Sequence, residues 1–132
     1  MKVVADTNIL VRAGTQDHPV QGPIARDIMA KAQVVAVALP ALCEFCWVLR
    51  TAYRFSGQEI AYSLRLLLAA DNVATDREAA EAGLAILDAG GDFADGVIAH
   101  MGRWLGGETF VSFDKEAVRL LQAQGEEAQI PA

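Results

Sequence analysis

Four acids in this chain stand where an isolated carboxylate is hard to explain by packing alone. Asp6 closes the apolar run of "VVADTNIL". Glu44 is the only charged residue between Val34 and Leu49. Asp95 follows "DFA" in "GGDFADGVIAH", and Asp114 follows "FVSF" in "FVSFDKEAVRL". Acids brought to one place repel: two unit charges about 4 Å apart cost on the order of 4 kcal/mol at an effective dielectric near 20. A divalent cation removes that cost. Carboxylate oxygens without His or Cys specify a hard ion, Mg²⁺ or Mn²⁺, rather than Zn²⁺. Such an ion suits phosphodiester hydrolysis, because it acidifies water and stabilises charge on the phosphate and the leaving oxygen. Asn8 and Ser112 are placed to support the acids by hydrogen bonds.

The elements that would position these acids follow from periodicity and caps. Val3–Ala5 and Val34–Leu39 read as buried strands, with a helix over 19–32 between them. Pro40 suits the first turn of a helix running through "ALCEFCWVLRTAYR". Ser56 and Glu59 form a capping box that opens a helix over 57–70. Val73–Ala74 is a short third strand. Thr75–Glu78 reads as a second box, opening a helix to Ala89 that Gly90–Gly91 ends. A helix over 92–105, a strand over 109–113 and a helix over 114–124 follow. The tail "EEAQIPA" is either a short edge strand or frayed.

Strands alternate with helices and are apolar throughout, the pattern of a parallel sheet covered on both faces. In such a sheet, ligands bind beyond the carboxyl ends of the strands. Asp6 and Asp114 each follow a strand directly, so both belong at that edge. Glu44 sits one turn into a helix that starts just past the second strand. Its helix is so apolar that Glu44 is expected to be buried, and a buried carboxylate needs a partner. Asp92 reads best as a helix cap. Asp95 reads as more than that, because Gly96 clears bulk beside it and Val97–Ala99 anchor its helix.

Size and composition bound the rest. The 132 residues suit a single domain spanning 1–132, and 53% hydrophobic residues with a mean hydropathy of +0.25 are enough for a filled core. The net charge of −6 argues against nonspecific nucleic-acid binding, though not against a nuclease whose acids hold metal. No apolar stretch reaches the roughly 18 residues of a membrane span, so no membrane partner is expected. The start carries no signal-peptide pattern, and two cysteines fit a reducing, cytoplasmic setting. Cys43 and Cys46, inside an apolar helix, read as small hydrophobes rather than a redox pair. Trp47 and Trp104 read as core or interface anchors rather than base-stacking platforms. Arg12, Arg50, Arg54 and Arg103 are candidate phosphate contacts.

Together "VVADTNIL", the lone acid in "ALCEFCWVL", "DFADGVIAH" and "FVSFDKEAVRL" resemble the four acidic motifs of PIN-domain ribonucleases, over Val3 to about Leu121. The size is similar to that of the VapC-type toxins of bacterial toxin–antitoxin pairs. The resemblance implies a three-layer α/β/α sandwich around a parallel sheet. It matches Asp6, Glu44 and Asp95 to the family's three core acids and Asp114 to a more variable fourth. Asn8 and Ser112 match its supporting polar positions, and Asp92 matches no core position. It further implies an RNA substrate, a small antitoxin that masks the site, and a second copy of the chain as partners. An arginine of that antitoxin is expected to pair with the acids, and an apolar segment to lie near Trp47 and Leu49.

Water as nucleophile would leave a 5′ phosphate and a 3′ hydroxyl. Two rival readings use the same acids. An Asp-nucleophile phosphohydrolase built on Asp6 would want an acid two residues on, where Asn8 stands. A phospho-acceptor signalling pocket would want a lysine after a late strand, and Lys115 instead follows Asp114 into a helix.

Overall fold

Runs of two or three residues form the strands, and each of the first four hands the chain to a helix that starts within a few residues of its carboxyl end. All 132 residues are described by the computed structural model, in two compact units, Met1–Asp76 and Arg77–Ala132. The chain is mixed α/β with seven helices and parallel strands, the class expected.

The first unit runs β1 (Lys2–Val4), α1 (Thr7–Thr15), α2 (Gln21–Lys31), β2 (Val34–Ala36), α3 (Leu39–Thr51), α4 (Gly57–Ala69) and β3 (Val73–Ala74). Its sheet has the order β1-β2-β3 and is parallel throughout, with Val3 opposite Val35 and Val35 opposite Val73. Side chains from β2 and from the inner faces of α3 and α4 meet in the core, where Val35, Leu42, Leu49, Ile60 and Leu64 are fully buried. Asn72 ties the sheet to α2, donating to Met29 O (2.8 Å) and Ala32 O (3.0 Å). The Ser56–Glu59 capping box is formed in both directions. α1 buries Thr7, Leu10 and Val11, a helical spacing that the contiguous Ile9-Leu10-Val11 obscures in the sequence.

The second unit runs α5 (Arg77–Asp88), α6 (Phe93–Trp104), β4 (Phe110–Val111), α7 (Lys115–Ala123) and β5 (Ala128–Gln129). The tail thus forms a strand, parallel to β4, with Phe110 opposite Ala128. Ile86, Ala99, Val118, Leu120, Leu121 and Ala128 form the core, with Phe110 packed against it. α5 begins at Arg77, so Thr75 does not cap it as expected; the Thr75 hydroxyl is buried without a hydrogen-bond partner. No helix is long and apolar enough to cross a membrane.

Candidate functional site

Asp6 stands two residues past β1 and is the N-cap of α1. Its Oδ1 accepts the Thr7 N–H at 2.8 Å. That bond and the helix dipole explain why an acid is tolerated straight after the first strand. It uses one carboxylate oxygen and leaves Oδ2 outside the cap. Asn8, in the first turn of α1, is exposed.

Glu44 lies in α3, which begins just past the carboxyl end of β2. In a parallel sheet this places Asp6 and Glu44 at the same end of the strands. Glu44 is exposed, not buried as the sequence led us to expect. The buried residues Leu42, Phe45, Cys46 and Leu49 lie along one side of α3, while Pro40, Glu44, Trp47 and Thr51 lie along the other. Trp47, expected as a core or an interface anchor, is 66% exposed and lies outside the core. Leu49 is buried and offers no surface to a partner.

In the second unit Asp92 and Asp114 lie near enough for their charges to act on Asp95. Asp95 is half-buried in the first turn of α6, where the helix dipole favours a carboxylate. Its carboxyl is nonetheless pushed above the ordinary range, first by burial and then by the charges of Asp92 and Asp114. Desolvation and like charge therefore outweigh the dipole at this position.

Asp92 occupies the N-cap position of α6 but makes no side-chain cap bond. Its influence on Asp95 is what the sequence reading missed, although a spacing of three residues at a helix start was a signal for it. Asp114 caps α7, its Oδ1 accepting the N–H groups of Glu116 (3.0 Å) and Ala117 (3.1 Å). Ser112 Oγ accepts the Asp114 N–H at 3.0 Å and so fixes the turn that carries this acid.

Gly96 also has a different reason from the one expected. A β-carbon there would stand 2.3 Å from Ala82 O and 2.8 Å from the Gly83 Cα. Gly96 lets α6 lie against α5, and that contact sets the position of Asp95.

Capping alone accounts for an acid at Asp6 and at Asp114. It does not account for Asp95, whose charged form is disfavoured by its surroundings. A cation beside it would reverse that penalty. Within neither unit do three His, Cys, Asp or Glu side chains already stand close enough to hold an ion. The donors are all carboxylates, which fits a hard divalent ion and not a thiophilic one.

The cysteines point away from soft-metal or redox chemistry. Burial, with the neighbouring Cys43, pushes the Cys46 thiol up to about 12, and burial also raises Cys43. Among the candidate phosphate-binding arginines, Arg12 and Arg103 are held by side chains of their own unit. Arg12 bonds Gln21 (3.1 Å) and pairs with Asp17 (3.5 Å), and Arg103 pairs with Glu126.

A family model described as PIN domain matches residues 3–121 of the chain. No curated protein matches it. PIN domains are in general nucleases, hydrolases that use divalent metal ions.

Proposed function

This chain belongs to the PIN domain family, and on that premise we propose that it is an endoribonuclease dependent on Mg²⁺ or Mn²⁺, and the toxin of a VapC-type toxin–antitoxin pair. The observation that carries the reading is the Asp95 carboxyl, held against its own ionisation by burial, Asp92 and Asp114. A protein keeps such a group for a reason, and a divalent cation supplies one.

Asp6, Glu44, Asp95 and Asp114 hold the ion in this reading. When bound, it supplies the positive charge that polarises a phosphoryl oxygen and acidifies water. The protein's share is orientation. Thr7 N–H fixes Asp6 through one oxygen, and the first turn of α7 fixes Asp114 in the same way. Ser112 steadies the backbone of Asp114, and Asn8, two residues after Asp6, is the polar side chain that would assist it. Water adds to phosphorus, the 3′ oxygen leaves and takes a proton, and the products carry a 5′ phosphate and a 3′ hydroxyl.

The partners in this reading are RNA, a second copy of the chain, and a small antitoxin. An arginine of the antitoxin suits the acids best, because its planar fork pairs with a carboxylate through two hydrogen bonds. Residues 1–132 act as one domain in the cytoplasm.

The test is cleavage of single-stranded RNA by the purified chain. Activity is expected with Mg²⁺ or Mn²⁺, is lost in EDTA, and is abolished by Asp6→Asn, Glu44→Gln or Asp95→Asn, with Asp114→Asn retaining part. Cleavage that persists in EDTA contradicts the metal, and absence of cleavage with either ion contradicts the nuclease. Co-expression with the adjacent upstream gene product tests the toxin role. If nothing from that gene copurifies and the chain alone does no harm to cells, that role fails while the nuclease can stand.

A further inference from the structure

Helix α3 presents a mixed face to solvent. Glu44 and Trp47 are three residues apart and so are neighbours on its surface. Trp47 is the only large apolar side chain of α3 that is well exposed. Arg50 and Thr51, one turn further on, are exposed as well. In the turn after the helix, Arg54 is exposed, makes no ion pair and holds a φ of 57°. A glycine adopts that left-handed conformation without strain and an arginine does not, so the side chain is retained against a backbone cost.

An exposed tryptophan asks for a partner. A protein partner needs a contiguous apolar patch, and on this helix Trp47 stands among Glu44, Arg50 and Thr51 instead. A nucleobase needs one π-face, and the phosphates beside it need cations. The charge distribution agrees. Residues 1–76 carry seven acids and seven bases, whereas residues 77–132 carry ten acids and four bases and hence all of the net −6. The first unit is thus the less repellent surface for a polyanion.

We propose that Trp47 is a stacking platform for one base of a single-stranded RNA substrate, next to the Glu44 carboxylate, with Arg54 taking a phosphate beyond it. This rests on the nuclease reading above and assigns Trp47 and Arg54 as substrate-binding residues rather than catalytic ones. It replaces the expectation that Trp47 anchors a core or a protein interface.

The chain has two tryptophans, so Trp104→Phe leaves Trp47 as the only indole. In that background, a short unstructured RNA titrated in EDTA should quench the fluorescence. Trp47→Ala should raise KM roughly 5- to 150-fold, the loss expected for one stacked base, with kcat within about two-fold. Trp47→Phe should keep most of the affinity. Arg54→Gly should melt no lower than the wild type, yet bind RNA more weakly and with a salt dependence shallower by about 0.7, one phosphate contact on a single strand.

Three results overturn the platform. One is wild-type cleavage of RNA with KM unchanged in Trp47→Ala and no quench. Another is Trp47→Ala splitting a dimer in sedimentation while KM is unchanged, which makes the face a subunit interface. The third is no RNA binding at all. Quenching by RNA without cleavage leaves the platform standing and removes the nuclease reading instead.

Discussion

Gly96 and Ala82 approach so closely that a β-carbon at position 96 would stand 2.3 Å from the Ala82 carbonyl oxygen. The neighbour is helix backbone and cannot swing away, so α6 has to move if residue 96 acquires a side chain. Asp95 precedes Gly96 and would move with it. Gly96→Ala is therefore expected to cost about 3 kcal/mol or more, the upper end of overpacking. The fall in melting temperature should be accompanied by loss of RNA cleavage in whatever fraction stays folded. A variant as stable as the wild type would mean that the two helices are not held at this separation.

Asp95 also makes stability depend on pH, and the sign follows from its raised carboxyl. The folded chain keeps the Asp95 proton to higher pH than the unfolded chain does, whose value lies near 3.8. The folded state binds more protons across that interval, so metal-free stability falls as pH rises through it and stays reduced at neutral pH. Asp95→Asn has no such proton to lose. Melting curves in EDTA should show the variant above the wild type at pH 7, with the gap closing below about pH 4. A gap that is constant with pH would contradict the assigned cause.

The two thiols should differ in reactivity. Cys46 is buried, with its thiol pushed up to about 12, while Cys43 is half-buried. An alkylating reagent at mild alkaline pH should label Cys43 slowly and leave Cys46 unlabelled until the chain unfolds. Rapid labelling of both, or a disulfide between them in the native protein, would contradict the packing of α3.

Much of this fold was legible residue by residue. The Ser56–Glu59 box, the apolar runs at Val34 and Val73 and the glycines after Asp88 mark elements through local chemistry, and local chemistry survives folding. β5 was not legible, because its pairing of Ala128 with Phe110 is a non-local contact between strands of two residues each. Glu44 was misjudged for another reason. Its helix is apolar by composition, but the exposed positions 40, 44, 47 and 51 follow helical spacing, and Trp47 hides that stripe when it is counted as core. Asp6 and Asp114 stand out in the sequence because each follows an apolar strand. Their capping bonds show that the same positions also serve the fold, so spacing alone could not separate the two roles. The pressure of Asp114 on Asp95 needed coordinates, since Asp114 lies nineteen residues away in sequence.

In the proposed function Asp95 helps to hold a divalent cation. Melting the purified chain with increasing Mn²⁺, beside Asp95→Asn, tests it most directly. The wild type should gain stability with Mn²⁺ as a ligand that binds only the folded form, by about 2.7 kcal/mol at a hundred times the Kd. Asp95→Asn should begin higher in EDTA and respond weakly. A wild-type melting temperature indifferent to Mn²⁺, or an Asp95→Asn response equal to that of the wild type, would contradict cation binding at Asp95.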